Sequence, residues 1–462
     1  MPAVETKVKR LGPLAFVLGT SFLLGGRLFQ FISDYSVNVL FWDDWDFRRL
    51  FFLRDPGFKE LFFLEHPPHR EGLGLILDKF ILPLTAWNTR SDSFLMGACI
   101  FGAMLLALLL KKRLLGRIDY WDALIPAVFL VKSQWELFAG APNPAYSAFP
   151  LLMLMLYALA LLQRNYLARS VAVLLLNFLL IYTGYGIFAG ALTITLFVFD
   201  SIQRRRGNLA IPAFAPPAGI AIACLSLASF FIDYKFDPAV DCFAASRPAV
   251  ESFAGFLSLF LASYFGIKSN IVGATLFGAL LLLLLIFVLA ISLRRTWQDG
   301  SRPSGALVSA VLLSYSLLFM LNVAYGRSCL GATAGQAPRY PTFLIPAFLS
   351  LYFFFLTMKP RWLKSIALAA FAFALIPGHF HAVAGAEWYR KGKLAWADCY
   401  RKHEDIAFCD AAANFKIYPY PAQTDLKGKL DFLKKNKLNL FSEPSTPPAA
   451  LPSDRSATPA SP

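Results

Sequence analysis

Residues 271–293 read IVGATLFGALLLLLLIFVLAISL and contain no charged side chain. An uncharged apolar run of about 18 residues or more is the signature of a membrane span, because water offers such a surface no partner. The rest of the chain agrees. Of its 462 residues, 57% are hydrophobic and 16% charged, with a mean hydropathy of +0.54, whereas soluble domains carry roughly 25% charged residues. A soluble enzyme, a disordered chain, a collagen-like repeat and a coiled coil are all excluded. The fold class expected is an all-α polytopic membrane protein.

Apolar blocks near 11–31, 93–110, 118–134, 146–162, 170–184, 186–202, 210–231, 270–293, 304–324, 341–358 and 363–383 give about 11 transmembrane helices. The stretch after Lys7, Lys9 and Arg10 lacks a small-residue cleavage site, so it reads as an uncleaved first span rather than a signal peptide. Basic clusters Lys111-Lys112-Arg113, Arg164 with Arg169, Arg204-Arg205-Arg206, Arg294-Arg295 and Lys359/Arg361/Lys364 fall on every second loop, on the side of Lys7, Lys9 and Arg10. By the positive-inside rule that side is cytoplasmic. The expected location is a bacterial cytoplasmic (inner) membrane, with the N-terminus cytoplasmic and the C-terminus periplasmic. The net charge of +15 therefore marks topology; no basic stretch interleaved with exposed aromatics points to nucleic acid.

This alternation organises the chain into a transmembrane domain, 1–383, with a long first outer loop, 32–92. An outer helical segment follows, 384–441, and then a Pro/Ala/Ser-rich tail, 442–462, expected to be disordered. Residues 72–87 contain Asp78, Lys79 and Pro83 and read as a helix lying on the outer membrane surface. Residues 251–266 read as a second such helix or a re-entrant one. Cys242, Cys329, Cys399 and Cys409 fall outside, where Cys399–Cys409 and Cys242–Cys329 are the expected disulfides against the alternative of free thiols. Cys99 and Cys224 lie in spans and read as packing residues.

The unusual polar residues gather in the outer loops. FWDDWDF places Asp43, Asp44 and Asp46 among aromatic rings. Neighbouring carboxylates beside Trp42 and Trp45 are costly to ionise together, so one is a candidate base, or the pair a candidate divalent-cation site; the alternative is a solvated turn with interfacial tryptophans. EHPPHRE holds Glu65, His66, His69, Arg70 and Glu71. His66 and His69 with Glu65 and Glu71 are candidate metal ligands, though Pro67-Pro68 prevents the helical spacing of helix-borne metal motifs; the alternatives are a phosphate contact through Arg70 with His69, or a plain loop. SQWELFAG presents Gln134, Trp135 and Glu136, and the loop before the tenth span carries Arg327 and the pair Arg339-Tyr340. An arginine there holds an anion at the interface or snorkels to lipid head groups. Walker A, GxGxxG and GxSxG motifs are absent from the sequence, so no nucleotide is expected to drive the chemistry and no required cofactor is visible.

Taken together, FWDDWDF in the first outer loop, EHPPHRE, SQWELFAG, PRYPTF and the LNLF near Leu438 resemble the motifs of GT-C class membrane glycosyltransferases, over about residues 40–440. They are most similar to a bacterial subgroup largely without assigned activity. The resemblance implies a polyprenyl-phosphate-linked sugar donor, a glycan or lipid acceptor, and transfer on the outer face. It also implies Asp44 as base with Asp43 as neighbour, Arg70 and Arg339 with His69 on the donor phosphate, and Glu136, Trp135, Glu65 and Tyr340 around the acceptor or cavity. One departure stands out: SQWELFAGAPNPAY has prolines where the subgroup pattern continues differently, which touches the acceptor side. The competing readings are a lipid-linked sugar flippase or transporter, which needs ionisable residues at mid-membrane, and a non-enzymatic envelope assembly protein.

Overall fold

The computed structural model describes residues 2–66, 69–209, 211–235, 250–267, 272–300, 304–380 and 383–442. It is mostly helical, and among the described residues its only strands are Glu65–His66 and His69–Arg70. Six segments are long and apolar enough to cross a membrane: Leu11–Tyr35, Thr89–Leu115, Ile187–Arg205, Val272–Asp299, Gly305–Leu330 and Arg361–His403. Shorter apolar helices are Ala148–Ala160, Tyr166–Ile181, Ala215–Phe230 and Pro341–Leu356.

Local chemistry sets the ends of these helices. Asn88 accepts the Arg90 amide at the start of Thr89–Leu115, and Gly116, at φ +73°, ends it. Asn165 and Ser304 cap Tyr166–Ile181 and Gly305–Arg327 in the same way. Such side chains occupy donors that the first helical turn leaves open. Small residues bring helices together: a Cβ on Gly278 would stand 1.8 Å from the Ser258 carbonyl oxygen, and one on Gly219 2.5 Å from the Phe197 ring. Close approach of this kind is the main source of helix adhesion where lipid competes equally for apolar contact.

The expected span at 118–134 is not one helix. The chain forms short turns of helix at Tyr120–Ala123, Leu124–Phe129, Lys132–Gln134 and Glu136–Ala139. Buried side chains take up the carbonyls this break exposes. Gln134 Nε2 donates to Phe129 O at 2.8 Å, Tyr264 Oη to Val128 O at 2.5 Å, and His379 Nε2 lies 2.8 Å from Ala127 O. Buried irregular backbone requires partners of this sort. The C-terminal half of helix Val250–Tyr264 is buried, from Phe256 to Ala262 and at Tyr264, and Ser133 Oγ donates to its last carbonyl. That suits the re-entrant alternative better than a surface helix.

The basic helix ends meet one another. Arg206 lies over the Trp297 ring at 4.3 Å, Gln203 donates to Trp297 O, and Arg295 reaches Thr357. At the opposite end a second core joins the first long loop to the C-terminal segment: Val39, Leu40, Phe41, Trp45, Phe52 and Trp87 pack with Trp396, Tyr400, Phe415, Leu430, Leu433 and Leu440. Helices Ala384–His403, Ile406–Ala413 and Leu426–Asn436 make up that segment, and the Cys399–Cys409 disulfide ties the first two together. Cys329 is also disulfide-bonded; Cys242, Pro67-Pro68 and the tail from 443 lie outside the described residues.

Candidate functional site

After the first helix ends at Tyr35, the chain bends at buried Asn38 and Val39, where the Val39 amide donates to Val37 O at 2.8 Å, and continues through buried Leu40. Asn439 of the LNLF stretch holds this run. Its side-chain oxygen accepts the Leu40 amide at 3.1 Å, and its amide nitrogen donates to Asn38 Oδ1 and Trp87 O, each at 2.8 Å. Trp42 then takes a left-handed conformation, φ +51°, and donates its backbone amide to Ile417 O. This turn splits the three acids of FWDDWDF. Asp43 is exposed, Asp44 is 2% exposed, and Asp46 turns to the C-terminal segment, accepting from Tyr418 Oη at 2.7 Å and Thr424 Oγ1 at 3.1 Å.

Asp44 belongs to a buried charge cluster centred on Arg48. The guanidinium reaches Asp44 Oδ1 at 3.2 Å, Asp78 Oδ2 at 3.0 Å and Asp92 Oδ2 at 2.7 Å. The other Asp44 oxygen accepts the Phe41 amide at 3.2 Å. Burial drives the Asp44 carboxyl up to about 6; Arg48, then Lys393 and the Phe41 amide, oppose the rise, and Asp43 adds to it. Asp78 is raised as well, again by burial with Arg48 opposing. Lys393 enters from helix Ala384–His403, fully buried, donating to Ala139 O at 2.9 Å and Gly140 O at 2.5 Å, with its ammonium over the Phe41 ring. The buried Lys393 ammonium brings a second cation to the Asp44 side of this cluster.

Asp43 and Asp44 open onto a cavity of about 290 Å³, at the lower edge of the usual range of small-molecule sites. His69, Glu71, Glu136, Asn143, Tyr146, Tyr185, Arg327, Arg339 and Tyr389 share its wall with Phe41, Trp42 and Phe47. EHPPHRE contributes through an antiparallel hairpin pairing Glu65 with Arg70 and His66 with His69. Successive strand residues point to opposite faces, so His69 faces the cavity, edge-on to Tyr185 at 4.2 Å, and Arg70 does not. Arg70 is buried among Phe63, Phe230 and Tyr234, donates to Ile232 O, and stands 3.6 Å from Glu65. The structure therefore separates Arg70 and Glu65 from the cavity. Glu71 returns to it, accepting from Asn143 Nδ2 at 2.6 Å.

Glu136 and Arg339 face each other across the wall at 3.4 Å, and burial raises the Glu136 carboxyl against the pull of Arg339. Two neighbours of this pair work from behind. Tyr340 is stacked on Phe260 at 5.3 Å under the Arg339 guanidinium, and Trp135 packs on Tyr389 at 5.7 Å and against Gly385. Neither lines the cavity. Among the described residues, no three His, Cys, Asp or Glu side chains converge as ligands for a metal ion.

Sequence reasoning missed Arg48, Asp92, Lys393 and Tyr389. A signal existed for the charged ones. Asp78, Asp92 and Lys393 sit in helices that bury one face, and a charge on a buried face requires a partner. The cavity as a whole combines four carboxylates (Asp43, Asp44, Glu71, Glu136), two guanidiniums (Arg327, Arg339), an imidazole and six aromatic rings (Phe41, Trp42, Phe47, Tyr146, Tyr185, Tyr389). Carboxylates accept protons, guanidiniums hold anions, and ring faces pack against the C–H faces of a sugar or the start of a lipid chain. No protein-family model, curated protein or solved structure matches the chain.

Proposed function

We propose that the chain is a membrane glycosyltransferase of the GT-C class. In this reading it moves a sugar from a polyprenyl-phosphate donor to an envelope glycan or lipid acceptor, at the outer face of a bacterial inner membrane. The chain crosses eleven times, counting the broken segment 118–134 as one, and the basic loops on the side of the N-terminus make that side cytoplasmic, with the cavity and the C-terminal segment outside. The observation that carries the reading is the meeting of Asp44 with Arg327 and Arg339 in a single aromatic-walled cavity.

The chemistry follows from that meeting. An acceptor hydroxyl attacks the anomeric carbon, its oxygen forms the new glycosidic bond, and its proton passes to Asp44. The bond from the anomeric carbon to the donor phosphate oxygen breaks, and its electron pair leaves with the phosphate. That leaving group is already anionic, so it calls for charge stabilisation rather than protonation, and Arg327 and Arg339 with His69 provide it. In this assignment Arg327 takes the place that the motif resemblance gives to Arg70. Asp44 is ionised at neutral pH yet basic enough to take a proton, the balance a general base needs. Glu136, fixed by Arg339, and Glu71, fixed by Asn143, are placed to accept hydrogen bonds from sugar hydroxyls.

The transporter reading has one observation on its side, the buried Arg169–Asp200 ion pair at 2.5 Å. Arg169 lies in the first turns of Tyr166–Ile181 and Asp200 in the last turns of Ile187–Arg205. The pair thus stands near the basic ends rather than midway, where a substrate path requires charge. The test is mass spectrometry of lipids retained by purified wild type and Asp44→Asn. A polyprenyl-phosphate sugar enriched in the variant supports transfer and names the sugar. Bulk phospholipid alone in both folded proteins overturns it.

A further inference from the structure

A second cavity, of about 190 Å³, lies where the first helix ends, helix Thr89–Leu115 begins and helix Ala384–His403 crosses both. Its polar lining includes Ser33, Asp34, Arg90, Arg390 and Arg401. Two of the helices that bound it are long apolar candidates for crossing the membrane, and the cavity lies at their ends. It lies on the same side of the bundle as the larger cavity, and neighbours on one helix divide between the two: Tyr389 faces the first and Arg390 the second.

Three guanidiniums around one small space need an explanation, because like charges repel and lose hydration there. The residues at hand supply little compensation. Arg401 donates to Leu440 O at 3.0 and 2.7 Å and to Asp398 at 3.1 Å. Arg90 makes one contact, to Ser33 O at 3.3 Å, and its Nε is buried without a partner among the described residues. Arg390 has no hydrogen bond or ion pair among them, and Asp34, the one acid in the lining, lies beyond ion-pair distance of all three arginines. The cavity thus sets two guanidiniums with unspent donors, Arg90 and Arg390, beside a third that is held in place, Arg401. That arrangement matches the several oxygens of a phosphate group, which guanidiniums bind in pairs of parallel hydrogen bonds.

We propose that this cavity is a second, phosphate-binding site, distinct from the cavity containing Asp44 and independent of the transfer reading. Its ligand is a phosphate-bearing group at the membrane surface, with Arg90 and Arg390 as the free donors and Arg401 as the fixed one. Leu394, 40% exposed on the cavity edge, gives a lipid-borne phosphate an apolar neighbour.

The test compares wild type with Arg390→Gln, a change that removes no contact in the structure, and with the Arg90→Gln/Arg390→Gln pair. Lys391→Gln, one residue away and ion-paired only to Glu387, removes the same charge outside the cavity. Two probes are used: native mass spectrometry of the protein from phosphatidylglycerol/phosphatidylcholine nanodiscs, and 31P line broadening of inorganic phosphate with the delipidated protein. The site predicts a stoichiometrically retained phosphatidylglycerol, with affinity about tenfold or more lower in Arg390→Gln, lower still in the pair, and unchanged in Lys391→Gln. Phosphate broadening with the same variant order, without lipid retention, supports the site and assigns it a soluble phosphate-bearing ligand. Equal losses in Lys391→Gln and Arg390→Gln, or no binding of either probe by folded wild type, overturns it.

Discussion

At the scale of single residues, Asp44 and Arg48 play opposite parts although they touch. Arg48 binds three carboxylates, so its removal leaves all three buried without their cation. Arg48→Leu is expected to cost on the order of 3–5 kcal/mol, read as a lowered melting temperature in detergent. Asp44→Asn leaves Arg48 with Asp78 and Asp92, so it is expected to melt near wild type while losing turnover. Because Asp44 must be ionised to accept a proton and its carboxyl is raised to about 6, kcat/KM should fall about tenfold per pH unit below that value and level off above it. A rate flat from pH 5 to 8 removes Asp44 as the base. FWDDWDF was legible because acids among aromatic rings are improbable without a purpose. The Arg48 cluster was not, since its members are 30 and 44 positions apart and meet only through helix packing. Arg70 was misplaced for a subtler reason. Which of two adjacent residues faces a site depends on strand phase, and a two-residue strand shows no alternation to read.

Among elements, the apolar blocks marked the long helices well, because lipid imposes length and composition together. The segment 118–134 escaped that rule: its backbone is broken and repaired by Gln134, Tyr264 and His379 from three places in the chain. The C-terminal segment is the other element whose role composition hides. Leu426–Asn436 reads as a lysine-rich amphipathic helix, yet its Leu430 and Leu433 share a core with the first loop. Asn439 is the latch between them. Asn439→Ala strands the Leu40 amide and the Trp87 carbonyl, at about 1–3 kcal/mol each, and places alanine at φ +49°, a region that disfavours it. Proteolysis within 384–441 should then accelerate at least tenfold, since each 1.4 kcal/mol is a factor of ten. Unchanged cleavage shows that the segment is held by other contacts alone.

The whole molecule is polarised, with basic helix ends gathered at one pole and both cavities at the other. Labelling by a membrane-impermeant maleimide in intact cells should modify Lys434→Cys and spare Arg205→Cys; the reverse pattern inverts the orientation and places the cavities inside. The polarity has a counterpart in the order of synthesis. Tyr389, Lys393 and Asn439 follow every acid and guanidinium of the larger cavity in the chain, yet they wall, charge-balance and latch it. Synthesis and competence are therefore coupled: a chain arrested before residues 384–441 are made carries every acid and guanidinium of the larger cavity but not the wall that Tyr389 supplies.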